Sequence, residues 1–265
     1  MTIDEILLRL DIDGWCVVEG VIPEDEVDAI RESVEQATMS KGKSQTYTGV
    51  VSARGILGSI LPFMHYLNDE RVLGVAERWF GPHVRISFTN SIINMPGNER
   101  GGWHADWPFN QEKPGCIPAP YPDAVMQLSA LWMLSPFSAD TGGTLLVPGS
   151  HRATNNPTGD MGVDRFTPYP TEMQATGSAG SVLLLDSRVW HSTAVNLSDT
   201  PRVAMVVRYA PWWLNLDVLM PGSDERSRMV DEPGKSENEV PPIPKHVYDM
   251  FPEGVKPLYR HWVRE

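Results

Sequence analysis

Two residues of a metal-binding type stand two positions apart in the segment GGWHADWPFN, residues 101–110. His104 and Asp106 would point to the same face of an extended chain. An imidazole and a carboxylate on one face can bind a metal ion together, but they can equally form a polar patch at the end of a strand. The pair therefore needs a third ligand from elsewhere in the chain before it indicates a metal site.

A third candidate ligand, His191, follows an apolar run in the segment SVLLLDSRVWHSTAVNLSDTPRVAMVVRYAP. Two histidines and one carboxylate on a β scaffold form the facial arrangement that suits non-haem Fe(II), with open positions for substrate and oxygen. The same side chains can bind Zn(II) and support hydrolysis, so the ligands alone leave the metal open. The other histidines occur in settings more typical of packing, capping or surface positions: His65, His83, His151, His246 and His261.

Two further residues of the same segment can receive a carboxylate. Arg202 lies eleven residues after His191, beyond a turn at 196–201, and Thr193 lies two residues after His191 on the same strand face. A guanidinium with a neighbouring hydroxyl binds a carboxylate well, and the Fe(II) co-substrate with a distal carboxylate is 2-oxoglutarate. Alternatively, Arg202 is a solvated residue at the start of a strand and Thr193 an ordinary β-former. Spacing alone leaves both interpretations open.

The elements that must position these residues change in character along the chain. Apolar spacing predicts helices over residues 3–10, after Pro23 and around 68–79, with a strand in DGWCVVEGVI. From residue 84 onward, short β-rich runs separated by turns predict a sandwich or barrel of antiparallel strands. We expect a single domain, 1–265, that is mainly β with flanking helices. Its parts are N-terminal helices (1–80), a β core (84–215) and a C-terminal arm (216–265).

Composition excludes several classes of partner. The chain has 265 residues and a net charge of −12, with no run of Lys or Arg, which argues against nucleic acid and anionic membranes as partners. No apolar run is long enough to cross a bilayer. Two cysteines, Cys16 and Cys116, are too few for a disulfide framework, and the first residues do not resemble a signal peptide. A cytoplasmic location is therefore expected.

The chain resembles the phytanoyl-CoA dioxygenase family of Fe(II)- and 2-oxoglutarate-dependent oxygenases. Four segments carry the resemblance, in the expected order between about residues 12 and 211: DGWCVVEGVIPEDEVDAIRESV, IINMPGNERGGWHADWPF, DTGGTLLVPGSHR and the His191 segment quoted above. The resemblance implies a double-stranded β-helix (jelly-roll, cupin-like) core. It also implies O2-dependent hydroxylation or desaturation of a small molecule, with release of succinate and CO2.

The resemblance further assigns residue roles. It implies that His104, Asp106 and His191 bind Fe(II), and that Arg202 and Thr193 hold the distal carboxylate of 2-oxoglutarate. Thr193 stands where several members carry serine, which keeps the hydroxyl. Two polar residues on strands expected to line the cavity, Asn94 and Gln127, are weaker candidates for contacts with the co-substrate. Asn94 stands where many members have a lysine, so one charged contact is missing or replaced.

The carboxylate of Asp106 bears on the reaction. Related halogenases carry a small residue at this position, so Asp106 favours hydroxylation or desaturation. Substrate residues are less well defined, and the candidates are aromatic side chains near the expected cavity mouth and one arginine: Trp107, Phe109, Trp132, Trp212 and Arg188. The Pro-rich loop 110–124 is a candidate lid. No basic cluster for a CoA phosphate is evident.

Two other functions are compatible with the residues. One is a metal-dependent, cupin-like enzyme that does not use 2-oxoglutarate, in which Arg202 is dispensable. The other is a catalytically silent jelly-roll binding protein. The sequence indicates neither the oligomeric state, monomer or homodimer, nor the pathway.

Overall fold

The computed structural model describes residues 1–44 and 49–265. Its helices begin and end where local chemistry favours it. Thr2 and Glu5 form a capping box at the first helix, Asp69 caps the fourth, and Gly81 ends the fourth with φ +80°. The helices are α1 (Ile3–Ile12), α2 (Glu24–Lys41), α3 (Leu61–Met64), α4 (Glu70–Phe80), α5 (Asp224–Arg226), α6 (Lys245–Asp249) and α7 (Lys256–Tyr259).

The strands form a large antiparallel sheet, a small antiparallel sheet and one short parallel pair. They are β1 (Trp15–Val18), β2 (Lys43–Ser44), β3 (Val50–Ala53), β4 (Arg85–Asn94), β5 (Leu128–Met133), β6 (Leu145–Leu146), β7 (Met173–Gln174), β8 (Val182–Asp186), β9 (His191–Ser192), β10 (Arg202–Ala210), β11 (Ile243–Pro244) and β12 (Val263–Arg264). The large sheet has the order β1-β8-β5-β10-β4-β3-β2, and the small sheet has the order β7-β6-β9.

Alternation along the strands separates the two faces of the large sheet. On β10, Met205 and Val207 belong to the main core with the helices, whereas Ala204 and Val206 belong to a second core. Leu146 of the small sheet lies in that second core. The small sheet therefore packs against the inner face of the large sheet, and the helices cover the outer face.

The expectation of antiparallel sheets with flanking helices is confirmed, but the expectation of a mainly β chain is wrong. Strands account for only about 20% of the chain and helices for 29%. Long connections such as 95–127 and 153–172 are ordered by turns and side-chain contacts and contribute no strand in these ranges. The apolar run GTLLVPG, for example, forms only the two-residue strand β6.

Segments from both ends of the chain reach the large sheet. Strands β1 and β3, which precede residue 84, pair with β8 and β4. The C-terminal arm packs back on β4: the indole of Trp262 donates a hydrogen bond to the carbonyl of Ile86 (2.7 Å), and the Tyr259 and Thr89 hydroxyls lie 2.7 Å apart. The division into helices, core and arm stays a prediction. Among the described residues, none of the helices has the length and hydropathy required to cross a bilayer.

Candidate metal centre and its cavity

The side chains of His104, Asp106 and His191 converge at one point. Each offers a ligand atom, and these atoms all lie within 4.8 Å of one another. The backbone brings the two histidines together, because His104 N donates to His191 O (3.2 Å) and His191 N donates to His104 O (2.9 Å). A segment that follows β4 is thereby joined to β9, and residues 87 positions apart become neighbours.

Each imidazole presents the same nitrogen to the centre. His104 Nδ1 lies 3.0 Å from Gly102 O, and His191 Nδ1 lies 2.9 Å from Val189 O. Because a carbonyl oxygen only accepts, Nδ1 carries the proton in both rings, and Nε2 keeps its lone pair for a metal. His191 Nε2 is 3.7 Å from Asp106 Oδ1. Burial, and then the neighbouring His191 ring, lower the pKa of His104 to about 3, so this ring is neutral at physiological pH.

Asp106 is held by two neighbours. Its Oδ2 accepts a hydrogen bond from the Ser129 hydroxyl at 2.6 Å, and its Oδ1 contacts the Arg208 guanidinium. Burial alone would raise the pKa of Asp106, but the charge of the neighbouring Arg208 is the largest influence that holds it below its ordinary value. The carboxylate is thus ionised and fixed in orientation. A fixed carboxylate and two imidazoles are the donor set that a non-haem Fe(II) site requires.

The three side chains line a cavity of about 570 Å³. Arg202, Thr193 and Thr144 lie in the wall of the same cavity. Arg202 is only 3% exposed, its guanidinium stacks on the Phe137 ring at 4.4 Å, and its Nε has no acceptor among the described residues. Burial lowers the pKa of Arg202 to about 10. Within residues 1–44 and 49–265, no acidic side chain pairs with it. A buried cation without a counter-ion fits an anionic ligand such as the distal carboxylate of 2-oxoglutarate.

Asn94 and Gln127 do not line this cavity. Asn94 is the register partner of Arg202 between β4 and β10 and is fully buried, and neither side-chain amide atom has a partner among residues 1–44 and 49–265. Gln127 precedes β5, and its amide nitrogen donates to the Ser87 hydroxyl at 2.9 Å. Both residues are polar and buried, yet neither position adds support for a direct contact with the co-substrate.

Of the five substrate candidates, only Trp107 lines the cavity. Phe109 packs against Tyr121 in a small cluster under the loop. Trp132 lies on the outer face of β5 against Phe63, and Trp212 is 54% exposed outside the cavity. An aromatic side chain in the sequence therefore did not predict whether that side chain faces the cavity.

Arg188 is likewise outside the cavity. It is buried in ion pairs with Asp186 (2.8 Å) and with Asp123 (2.5 Å) at the end of the candidate lid 110–124. The earlier part of that loop contributes Asn110, Glu112 and Lys113 to the cavity wall. Arg188 thus ties the loop to the strand that leads to His191, and its charge is already balanced.

Several site residues were not identified from the sequence. Arg208 and Ser129 contact Asp106, and Arg54, Lys113 and Arg165 also line the cavity. Arg208 follows Arg202 by six positions on one strand, and an even spacing places both on one face, so the sequence contained that signal. Arg54, Lys113 and Arg165 lie in connections whose path no local pattern predicts.

Comparison with known proteins agrees with this geometry. Residues 10–204 match the family model described as phytanoyl-CoA dioxygenase (PhyH). An ectoine dioxygenase from Nocardia farcinica is 28% identical over 228 residues, covering 75% of this chain and 74% of the relative. Dioxygenase af480 from Aspergillus fumigatus is 23% identical over 219 residues, covering 79% and 67%.

Two solved structures share the fold. One is HygX from Streptomyces hygroscopicus with nickel, 2-oxoglutarate and hygromycin B bound (TM-score 0.64, 19% identity, 89% of this chain and 96% of that chain). The other is the epimerase SnoN with Fe3+, alpha ketoglutarate and nogalamycin RO (TM-score 0.62, 20% identity, 79% and 83%). The chain belongs to the phytanoyl-CoA dioxygenase family, and it is an oxygenase that depends on Fe(II) and 2-oxoglutarate.

Proposed function

We propose that this dioxygenase hydroxylates or desaturates a small organic molecule, with His104, Asp106 and His191 as the ligands of its Fe(II). The observation that carries the proposal is the convergence of these three side chains within 4.8 Å, with the Nδ1 atom of each imidazole held by a backbone carbonyl. The two facing sheets then form the jelly-roll core that carries the ligands. When bound, Fe(II) and 2-oxoglutarate supply the oxidation, in which O2 is consumed and succinate and CO2 are released.

The protein contributes binding and orientation. Gly102 O and Val189 O fix the two imidazole rings, and Ser129 fixes the carboxylate of Asp106. Such outer contacts orient metal ligands and strengthen metal binding. We assign the distal carboxylate of 2-oxoglutarate to Arg202, with the Thr193 hydroxyl beside it, because Arg202 is a buried cation that lacks an acidic partner in the described part of the chain.

The cavity also suits a small-molecule substrate. Its volume of about 570 Å³ lies within the usual range for sites that enclose one small ligand. Apolar side chains such as Phe88, Trp107 and Val206 lie in its wall and exclude water from the metal face. The two matched structures contain hygromycin B and nogalamycin RO, and these bound molecules support a small organic substrate for this chain as well.

The test is a spectroscopic titration without oxygen. Fe(II) and 2-oxoglutarate added to the protein should produce the visible metal-to-ligand charge-transfer band of the chelated keto acid. Arg202→Ala should weaken 2-oxoglutarate binding by about tenfold or more, because hydrogen bonds to a charged group are lost. The matched control is Arg78→Ala, which removes an exposed arginine that pairs with Asp4 and should leave the band unchanged. A folded protein without the band, or an Arg202→Ala variant with unchanged affinity, would contradict the proposal.

A further inference from the structure

The charge of the cavity is opposite to that of the chain. The chain carries a net charge of −12, yet cationic side chains outnumber carboxylates in the cavity wall. The cationic residues are Arg54, Lys113, Arg165, Arg202 and Arg208, and the acidic residues are Asp106 and Glu112. An excess of one charge in a closed cleft attracts ligands of the opposite charge.

Local pairing accounts for part of this excess. Glu112 pairs with Arg165, and Asp106 pairs with Arg208. In the proposed function, 2-oxoglutarate occupies Arg202, and Asp106 is a ligand of the metal. The negative charge of Asp106 is then shared between the metal and Arg208, so it no longer neutralises Arg208 fully. The cations that remain for a substrate are then Arg54, Arg208 and Lys113. The last has one contact with a carbonyl, Ser236 O, at 3.5 Å.

Arg54 and Arg208 both line the cavity and both contact the Phe88 ring, which belongs to β4, the strand between β3 and β10. The guanidinium carbon of Arg54 lies 5.2 Å from the centre of the Phe88 ring, and that of Arg208 lies 4.7 Å from the same centre. Burial lowers the pKa of Arg54 and the charge of Arg208 lowers it further, whereas the more distant carboxylates of Glu239 and Glu237 partly oppose this shift. Two guanidinium groups held near each other repel unless an anion lies between or beside them.

Neither guanidinium is saturated by the protein. Arg54 donates a hydrogen bond from Nη2 to Asn238 Oδ1 at 2.7 Å, and its Nε is buried without an acceptor in the part of the chain that the structure describes. The Nε of Arg208 is also buried without an acceptor. In the described ranges, 1–44 and 49–265, no carboxylate lies within ion-pair distance of Arg54. Five donors in a planar fork match an oxyanion, and here two guanidinium groups with unused donors lie against the same aromatic ring in the cavity wall.

We propose that the substrate carries a carboxylate or a phosphate group, and that Arg54 and Arg208 bind this group. The inference rests on the proposed function, because it assumes that Arg202 and Asp106 are engaged by 2-oxoglutarate and Fe(II). Arg208 contacts both the Phe88 ring and Asp106, so the anionic group binds beside the metal ligands. The apolar wall at Phe88, Trp107 and Phe166 then receives the rest of the molecule.

Binding of matched probes tests the proposal. The protein is loaded with Fe(II) and 2-oxoglutarate without oxygen and titrated calorimetrically with phenylacetate, phenyl phosphate and phenylacetamide. At least one anionic probe should bind about tenfold or more tightly than the neutral amide, as expected for a charge-assisted contact. The stronger of the two anions identifies the group as carboxylate or phosphate. Equal binding of all three probes, or no binding of any, would overturn the proposal.

Variants of Arg54 test whether this residue causes the preference for an anionic probe. Arg54→Gln should remove the preference for the anion, whereas Arg54→Lys should retain most of it because the charge stays. Arg78→Gln, an equal change of charge at an exposed residue paired with Asp4, should leave the preference unaltered. An Arg54→Gln variant that keeps the wild-type preference refutes the assignment. The charge-transfer band separates the two proposals: its absence contradicts the metal site, whereas a normal band without anion preference contradicts only this inference.

Discussion

The two faces of strand β10 differ in chemistry although their residues alternate along nine positions. On the outer face, Val203, Met205 and Val207 are fully buried against the helices. On the inner face, Arg202 and Arg208 are directed into the cavity, with only small or branched apolar residues between them. Burying apolar surface stabilises a fold, whereas burying a cation without a counter-ion destabilises it. One face therefore provides stability, and the other keeps charges available for ligands at some expense of stability.

The largest expected effect is on the outer face. Met205→Ala removes a fully buried side chain that lies opposite Trp132 of β5 in the sheet register. The lost contacts and the cavity left behind should lower the free energy of unfolding by about 2–5 kcal/mol. Urea unfolding of the metal-free protein measures this change. If the faces are independent, the affinity of the folded variant for 2-oxoglutarate, followed by the charge-transfer band, should equal that of the wild type.

At Arg202, three residues before Met205, we expect a change of the opposite sign in the free energy of unfolding. Arg202→Met replaces a buried, unpaired guanidinium by an apolar side chain of similar length. The free energy of unfolding of the metal-free protein should stay constant or rise, by up to about 1–4 kcal/mol as found when buried charges are replaced by apolar groups. The same variant should lose affinity for 2-oxoglutarate. A loss of several kcal/mol of stability would show that Arg202 has a stabilising partner, and the contrast between the faces would fail.

The sequence predicted strand β10 but only one of the two arginines on its inner face. The run RVAMVVRYA is apolar enough to predict β10, and the family resemblance identified Arg202. Arg208 was missed although its even spacing from Arg202 places it on the same face. Trp132, by contrast, was wrongly expected near the cavity. Alternation along β5 places Trp132 and Ser129 on opposite faces of the strand. The sequence does not reveal which face adjoins the cavity, because that depends on strand register and on the partner sheet.

The cationic residues that reach the cavity wall from outside β10 show a stricter limit to what the sequence predicts. Arg54 follows β3, whereas Lys113 and Arg165 lie in long connections without regular structure. Their positions depend on contacts with distant segments, such as the hydrogen bond from Arg54 to Asn238, 184 residues away. No local pattern records such a contact. The metal ligands were easier to identify because the chemistry of Fe(II) restricts their residue types, whereas an anion site accepts any well-placed cation.

The smallest effect concerns a hydroxyl on the inner face of β5. Ser129 donates to Asp106 Oδ2 at 2.6 Å and so fixes this carboxylate through a neutral group, whereas the other oxygen contacts Arg208. Ser129→Ala should weaken metal binding by about tenfold, because contacts of this kind orient the ligand without touching the metal. Titration with Mn(II), followed by electron paramagnetic resonance, measures the affinity.

Ser135→Ala is the matched control. Ser135 accepts a hydrogen bond from Val203 N (2.8 Å) rather than contacting a metal ligand, so this variant should have reduced stability but unchanged metal affinity. Equal metal affinities in the two variants would mean that Arg208 alone orients Asp106. Metal affinity at the inner face would then depend on the charge of Arg208 and not on the hydroxyl of Ser129.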